Sequence, residues 1–210
     1  MDLAKLALDD EWLAQLEAVA RGAGLDLPPK RLAAEVRALS DAYNSGEFSR
    51  ARTRGALAAR LLFSFPRDVP KMACAARELA FAGRLSGALR VLDVGAGLGA
   101  STWGLARLLA ARGERGSIDA TFVDEDPAAL EIARALARAR TRDGEVDVRV
   151  TTDAPKGKYD LVLVGQALGE MTADERAQAD KLHDLLANRL ADDGSLVVVE
   201  PALAERTRRL

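Results

Sequence analysis

The chain has 210 residues, of which 49% are hydrophobic and 30% charged, so it can bury a sizeable core and is unlike a disordered protein. Its formal net charge of -2 argues against a globally basic nucleic-acid binder. Because Cys74 is the single cysteine, the chain's own cysteines cannot form a disulfide, a zinc site or an iron–sulfur cluster.

This cysteine usage predicts a cytoplasmic protein without a metal site. The first residues carry acids instead of a basic segment followed by an apolar one, so no signal peptide is predicted. No apolar run reaches the length that a membrane-spanning helix needs, and no membrane association is expected.

The first part of the chain, 1–84, is predicted to be a helical region without strands. The segment 27–60 carries seven basic residues against three acids, which indicates either a basic stripe suited to phosphates or an ordinary solvated helix face. Apolar spacing, prolines and glycines predict four helices: Leu3–Ala20 with a break near Asp9 and Asp10, Pro29–Tyr43, Ser49–Phe63, and, after an interruption at Pro66, a helix capped by Asp68 and ending near Ala82.

The second part, 85–210, alternates strands and helices, which is typical of a parallel sheet with helices on both faces. Right-handed crossovers predict the strand order 3-2-1-4-5, and a ligand is expected above the carboxyl ends of strands one and four. Thr172 and Glu175 are expected to form a capping box for the last helix, and Asp126 to cap an earlier one. The predicted strands are Leu89–Val94, Ile118–Val123, Val146–Val150, Tyr159–Val164 and Ser195–Glu200.

A glycine-rich turn follows the first strand and opens the next helix, in the order Asp93, Gly95, Ala96, Gly97 and Gly99. Such a turn lets a ligand approach bare backbone, and it occurs in two classes of nucleotide-type cofactor site. A dinucleotide site is spaced Gly-x-Gly-x-x-Gly and binds a pyrophosphate anion, whereas this turn is spaced Gly-x-Gly-x-Gly.

The carboxylate of Asp93 favours a cationic ligand by charge pairing and would repel a pyrophosphate. S-adenosylmethionine carries an ammonium and a sulfonium, so it suits this turn better than a dinucleotide does, and Asp93 is expected to face it. A dinucleotide site and a merely structural glycine turn remain as alternatives. The pattern resembles the first motif of the class I S-adenosylmethionine-dependent methyltransferases.

Further candidate residues stand at the ends of the other strands. Asp124, in an acidic turn with Glu125, is placed to accept hydrogen bonds from ribose hydroxyls, although a solvated loop acid would look the same. Asp153 could accept from an adenine amino group, or lie in an exposed loop. Gln166 could contact the cofactor, and Glu170 either borders the methyl acceptor or simply begins a helix.

No catalytic acid or base is identified, and methyl transfer does not always require one, because much of its rate comes from alignment of the reacting atoms. The chain lacks the Asn-Pro-Pro-Tyr or Asp-Pro-Pro-Tyr segment with which base-amine methyltransferases hold a nitrogen, and it lacks a suitable cysteine for attack on a pyrimidine. The catalytic residues are therefore left unassigned.

With the helical region included, the chain resembles the bacterial relatives of the mitochondrial small-ribosomal-subunit methyltransferase-like assembly factor. The resemblance rests on four segments: Phe65–Lys71, Leu92–Trp103, Asp160–Val162 leading to Ala167–Glu170, and Val199–Pro201. It implies a Rossmann-like class I methyltransferase fold, S-adenosylmethionine binding, and association with small-subunit ribosomal RNA in ribosome assembly.

Two departures from this family set further expectations. Family members continue past strand five into a cysteine-bearing segment that can hold an iron–sulfur cluster, and the complete fold ends in a hairpin, but this sequence stops at Leu210. Strand five is then an apolar edge strand, a state that natural proteins avoid. We expect it to be covered by the N-terminal helices, to pair with another copy in a homodimer, or to belong to a truncated form.

Three functions follow from these expectations. The first is a methyltransferase acting on small-subunit ribosomal RNA. The second is a non-catalytic ribosome-assembly or RNA-binding factor that keeps the methyltransferase fold, because the acceptor motif is missing. The third is a small-molecule methyltransferase, for which an acceptor pocket lined by the helical region would be the characteristic observation.

Overall fold

A computed structural model describes residues 6–47, 52–85, 87–114, 116–140, 146–153, 155–171 and 174–200. The helical region contains α1 (Asp10–Gly22), α2 (Pro29–Ser45), α3 (Arg54–Ala59), a π-helical turn (Arg60–Ser64) and α4 (Phe65–Phe81). The remaining elements follow in the order β1 (Leu89–Val94), α5 (Ala100–Arg112), β2 (Ile118–Val123), α6 (Pro127–Ala139), β3 (Val146–Thr151), β4 (Tyr159–Gly165), α7 (Leu168–Met171), α8 (Glu175–Asn188) and β5 (Leu190–Val199).

The first two helices end close to the predicted positions, but α1 begins only at Asp10, and residues 7–9 of the predicted helix are not helical. The break near Asp9 is confirmed, because the Asp9 carboxylate caps α1 by accepting from Trp12 N at 3.0 Å. Pro29 opens α2, and Gly46 ends it in a left-handed conformation. The predicted helix starts at Leu3 and Ser49 lie outside the described residues.

The prediction that Pro66 interrupts the helix and that Asp68 caps a new one is wrong. The chain stays helical from α3 into α4, because a π-helical turn lets Phe65 N donate five residues back to Arg60 O. Pro66 then lies in the first turn of α4, where a missing N–H costs little. Asp68 forms an ion pair with Lys71 Nζ at 2.7 Å instead of capping.

The five strands form one parallel sheet in the predicted order β3-β2-β1-β4-β5. β5 begins at Leu190, earlier than predicted, and its register with β4 shifts between Tyr159 and Leu161. Helix α8 is capped by Asp174, which accepts from Arg176 N at 3.0 Å, so the predicted capping box is not what begins it. Thr172 lies outside the described residues.

Helices cover the two faces of the sheet unequally. On one face, buried strand residues such as Val91, Ala120 and Leu163 pack against α4 and α5. On the other face, Leu92 and Val162 pack under α7 and α8. β3 alternates valines with exposed Asp and Arg residues, as expected for an edge strand with one buried face.

The helical region shares a core with the sheet region. The indole of Trp12 on α1 lies 5.1 Å from the Trp103 ring on α5 and 6.1 Å from the Phe65 ring, measured between centroids. The same cluster includes Ile132 and Leu136 from α6. The division at 84/85 stays a prediction, although this cluster contains residues from both sides of it.

Three of the arginines in segment 27–60 bind other parts of the protein. Arg52 pairs with Glu125, Arg54 donates to the carbonyls of Ala23 and Gly24, and Arg60 pairs with Asp126. They therefore do not form one free basic stripe. Among the described helices, none combines the length and apolar character required to cross a bilayer.

Candidate functional site

The glycine turn after β1 is built for close approach on both sides. Gly95, Gly97 and Gly99 have φ values of 66°, 54° and 85°, in the left-handed region that side chains disfavour. The N–H groups of Gly95 and Ala96 donate to Val123 O at 2.8 and 3.1 Å, which holds the turn against the end of β2. Ala96 itself is half-buried.

Each glycine faces a different neighbour. A Cβ on Gly99 would lie 2.2 Å from Phe122 Cε2, and one on Gly95 would lie 2.3 Å from Ala167 Cβ. A Cβ on Gly97 would lie 2.9 Å from Arg60 Nη2. Gly95 and Gly99 are therefore required for packing, whereas Gly97 presents bare backbone to a charged side chain.

Asp93 lies beneath this turn at the end of β1 and is fully buried. Its Oδ2 accepts from Thr102 Oγ1 at 2.8 Å and from Thr102 N at 3.1 Å, which fixes the start of α5. Its Oδ1 finds no hydrogen-bond donor within the described part of the chain. Burial raises its pKa to about 7. The hydrogen bonds from Thr102 lower the pKa, and the charge of Asp124 raises it further.

The expectation that Asp93 faces a ligand is not met in this structure, because its carboxylate is fully buried and bonded to Thr102. A cationic ligand would contact Oδ1 only if the glycine turn changed its conformation. Without such a change, the ligand would interact with the carboxylate charge from the far side of the turn. A buried acceptor without a donor is costly and is uncommon in native proteins, so Oδ1 is suited to such a ligand. Cofactor binding by Asp93 stays a prediction.

Asp124 connects the glycine turn to the turn after β2. Its Oδ2 accepts from Gly97 N at 2.7 Å and its Oδ1 accepts from Asp126 N at 2.8 Å. Each carboxylate oxygen has a further lone pair, so Asp124 can still accept from ribose hydroxyls. The neighbouring Glu125 is exposed and pairs with Arg52, which places it on the outer side of this turn.

Asp153 and Gln166 end strands on opposite sides of this centre. Asp153 is exposed after β3, and its backbone N–H donates to Thr151 Oγ1 at 3.0 Å. Gln166 follows β4 with φ 57°, the one non-glycine residue in the described chain with a positive φ. Its Oε1 accepts from Lys71 Nζ at 3.0 Å. Strained residues of this kind cluster at functional sites, but the roles of both residues stay predictions.

Sequence reasoning did not single out Arg60, which lies beside the glycine turn, or Tyr43, whose pKa the charges of Glu170 and Arg60 influence. Arg60, from the π-helical turn, pairs with Asp126 at 2.8 Å. Burial raises the pKa of Tyr43 on α2 to about 12, and the nearby Glu170 charge adds to this effect. A signal for Arg60 exists in the sequence, because it interrupts the apolar run 56–63, where an arginine needs a partner.

Glu170 on α7 completes this group of polar side chains. It reaches solvent, yet desolvation raises its pKa to about 7, with Arg60 opposing the shift and Asp124 reinforcing it. A carboxyl group with this pKa exchanges a proton near neutral pH. The sequence left two alternatives for Glu170, a place beside the methyl acceptor or a place at a helix start. Glu170 belongs to the short helix α7, and the charges of Arg60 and Asp124 influence its pKa, so the two alternatives are compatible.

These residues suit a nucleoside cofactor with a cationic tail. Gly97 presents bare backbone, Asp124 has acceptor capacity for ribose, and Asp93 Oδ1 is a buried acceptor without a donor in the described chain. No group of three or more His, Cys, Asp or Glu side chains in the described residues is arranged to hold a metal ion.

Comparison with known proteins supports this interpretation. Residues 92–194 match the family described as "Methyltransferase domain", a span that contains the glycine turn, Asp124, Gln166 and Glu170. No match is found among curated proteins.

Several solved structures are similar to this chain. A methyltransferase from Clostridium acetobutylicum shares 17% identity with a TM-score of 0.48, covering 74% of this chain and 56% of its own. A putative methyltransferase from Methanococcus maripaludis shares 17% identity with a TM-score of 0.45, covering 75% of this chain and 61% of its own. A putative RNA methyltransferase from Pyrococcus horikoshii shares 20% identity with a TM-score of 0.43, covering 75% of this chain and 65% of its own.

This chain spans between 43% and 65% of the lengths of eight solved structures that it resembles. Because the TM-scores are below 0.5, the fold assignment rests on the strand order, the glycine turn and the matched domain.

Proposed function

We propose, from the match of residues 92–194 to a methyltransferase domain and from the geometry of the glycine turn, that this chain binds S-adenosylmethionine and transfers its methyl group. The observation that carries the proposal is the glycine turn at the junction of β1 and β4, with Asp93 beneath it and Asp124 bonded to its tip. Ligands of open parallel sheets bind at this junction.

When bound, the cofactor supplies a methyl group activated by a positive sulfonium, and the protein has to bind and orient it. Asp124 would accept from the ribose, Gly97 would let the cofactor approach the backbone, and Asp93 would contribute negative charge near the cationic tail. Glu170, whose pKa is about 7, can take up a proton that the acceptor loses near neutral pH.

Isothermal titration calorimetry with S-adenosylhomocysteine tests the cofactor half of this proposal. We expect the wild type to bind, and Asp124→Ala to bind about 10- to 100-fold more weakly, because it loses charge-assisted hydrogen bonds to the ribose. The control is Asp193→Ala, an exposed acid on β5, which should leave the dissociation constant within about twofold. A wild type that does not bind at millimolar ligand would refute the proposal.

For the acceptor, we propose small-subunit ribosomal RNA, in the cytoplasm and in connection with ribosome assembly. The family resemblance of segments 65–71 and 92–103 supports it. Two exposed aromatic rings, Phe63 and Phe81, also support it, because an arginine lies over each ring. Arg67 lies 4.7 Å from the centre of the Phe63 ring, and Arg112 lies 5.8 Å from the centre of the Phe81 ring. Bases stack on such rings in RNA-binding proteins.

A single-turnover assay with radiolabelled S-adenosylmethionine and purified small-subunit ribosomal RNA tests this acceptor. We expect methyl label on the RNA with the wild type and at least a tenfold lower rate with Asp124→Ala at subsaturating cofactor. RNA binding without label would favour the non-catalytic assembly factor, which the enclosure of Asp93 also favours. Label on neither RNA nor subunits would contradict the RNA acceptor.

A small-molecule acceptor is the remaining candidate, and one observation favours it. Tyr43, Arg60 and Glu170 lie close enough to influence each other's charge, and they come from both the helical region and the sheet region. In this alternative they would border the acceptor.

Pairing of two copies through the β5 edge also stays a prediction, which light scattering would test.

A further inference from the structure

Arg60 is held at the cofactor turn by the fold of the helical region. It is the first residue of the π-helical turn between α3 and α4, an irregularity that is frequent at functional sites. Its side chain is 16% exposed and pairs with Asp126 through Nη1 at 2.8 Å. The ion pair fixes the guanidinium beside the turn after β2.

The second terminal nitrogen, Nη2, points at the glycine turn. It lies 2.9 Å from the position that a Cβ on Gly97 would occupy, and Asp124 Oδ2 lies 4.0 Å from the same position. Nη2 and the ribose-binding candidate therefore share one side of Gly97. Among the described residues, Arg60 donates one hydrogen bond, from Nη1, so its other N–H groups remain available to a ligand.

The start of α5 adds positive potential at the same place. This helix of 13 residues begins at Ala100, and its N-cap residue Gly99 has no side chain that could accept from the first N–H groups. Asp93 accepts from Thr102 N, which leaves N–H groups earlier in the turn for other acceptors. A helix N-terminus of this kind favours a negative group.

Several acids lie around the turn, and they favour the cationic parts of the proposed cofactor. Asp93, Asp124 and Glu170 suit its ammonium and sulfonium but repel the α-carboxylate of its amino-acid tail. That carboxylate needs a cationic partner. Lys71 is engaged by Asp68 and Gln166. Arg60 pairs with Asp126 through Nη1, and within the described part of the chain its Nη2 beside Gly97 has no acceptor.

We propose that Arg60 binds the α-carboxylate of the cofactor's amino-acid tail through its free N–H groups, so that the helical region supplies part of the cofactor site. Planar guanidinium groups match carboxylates better than ammonium groups do. The inference rests on the proposed S-adenosylmethionine site and adds a residue that lies outside the matched domain.

Calorimetric titrations with two ligands test this assignment. S-adenosylhomocysteine carries the amino-acid tail, and 5′-methylthioadenosine has the same nucleoside without it. We expect Arg60→Met to bind S-adenosylhomocysteine about 10- to 100-fold more weakly and methylthioadenosine within about twofold of the wild type. Arg60→Lys, which keeps the charge, should lose about fivefold for the first ligand and nothing for the second.

The control is Arg54→Met, because Arg54 lies on α3 and bonds the carbonyls of Ala23 and Gly24, away from the glycine turn. It should leave both dissociation constants within about twofold. Circular dichroism verifies that each variant is folded. If Arg60→Met does not fold, the comparison of the two ligands is made with Arg60→Lys instead.

Two results would overturn the assignment of Arg60. Tighter or unchanged binding of S-adenosylhomocysteine by Arg60→Met would mean that Arg60 covers the turn and does not bind the cofactor. An equal loss for both ligands would mean that Arg60 acts on the nucleoside or on the fold. A wild type that binds neither ligand would instead refute the proposed function itself.

Discussion

Replacement of Gly99 by valine is expected to destabilise the protein by about 3–5 kcal/mol and to lower its melting temperature by about 10 °C. Two costs add. The backbone of Gly99 has φ 85°, where a β-branched residue is strained by about 1–2 kcal/mol. A Cβ there would also lie 2.2 Å from Cε2 of Phe122, a fully buried ring in the sheet core.

Thermal denaturation followed by circular dichroism measures this effect, and Gly113→Val separates its two causes. Gly113 ends α5 with φ 68°, but a Cβ there would meet nothing within 4 Å. The Gly113 variant should therefore show only the backbone cost of about 1–2 kcal/mol. Equal losses for both variants would mean that contact with Phe122 contributes nothing to the requirement for glycine.

Substitution of Asp93 by asparagine is expected to stabilise the protein at pH 8 by about 2–4 kcal/mol and to have little effect near pH 4. Burial raises the pKa of Asp93 in the folded protein from its ordinary 3.8 to about 7. Between these two values, the unfolded chain releases a proton that the folded protein retains. The stability of the wild type therefore falls as pH rises from about 4 to about 7, and the cost remains above pH 7.

Denaturant unfolding between pH 4 and pH 8 measures this dependence for the wild type and for Asp93→Asn. The asparagine carbonyl can still accept from Thr102 N and Thr102 Oγ1, so the variant should keep these hydrogen bonds and lose most of the pH slope. Asp93→Ala is the matched control, because it leaves the Thr102 donors without an acceptor and should destabilise at every pH. An unchanged slope in the asparagine variant would assign the pH dependence to other groups.

The same carboxylate offers a link between stability and cofactor binding. A cationic ligand near Asp93 favours its ionised form and so offsets part of the cost of burying the charge. The energetic cost at Asp93 thus has a functional reason if the proposed cofactor binds there, since active sites retain groups that weaken the fold.

Much of the architecture was predictable from local pattern. β1, β2 and the strand order follow from short apolar runs that alternate with helical segments, because a parallel sheet requires such crossovers. The cap at Asp126 and the left-handed glycines of the turn follow in the same way, because each depends on residues a few positions apart. The helix around Pro66 was mispredicted because a π-helical turn joins α3 to α4 and places Pro66 in a first turn, where its missing N–H costs little.

The sequence by itself determined that this protein has a Rossmann-like sheet with a glycine turn suited to a nucleoside cofactor, because those features arise from neighbouring residues. Only the tertiary structure decided that Asp93 is enclosed with one oxygen that has no donor among the described residues, that the charge of Asp124 raises the pKa of Glu170, and that Arg60 reaches Gly97 and Asp126. These are contacts between residues distant in the chain, and their geometry depends on how the helical region packs against the sheet region. Burial and distance then set the charges and pKa values from which any chemistry at the site follows.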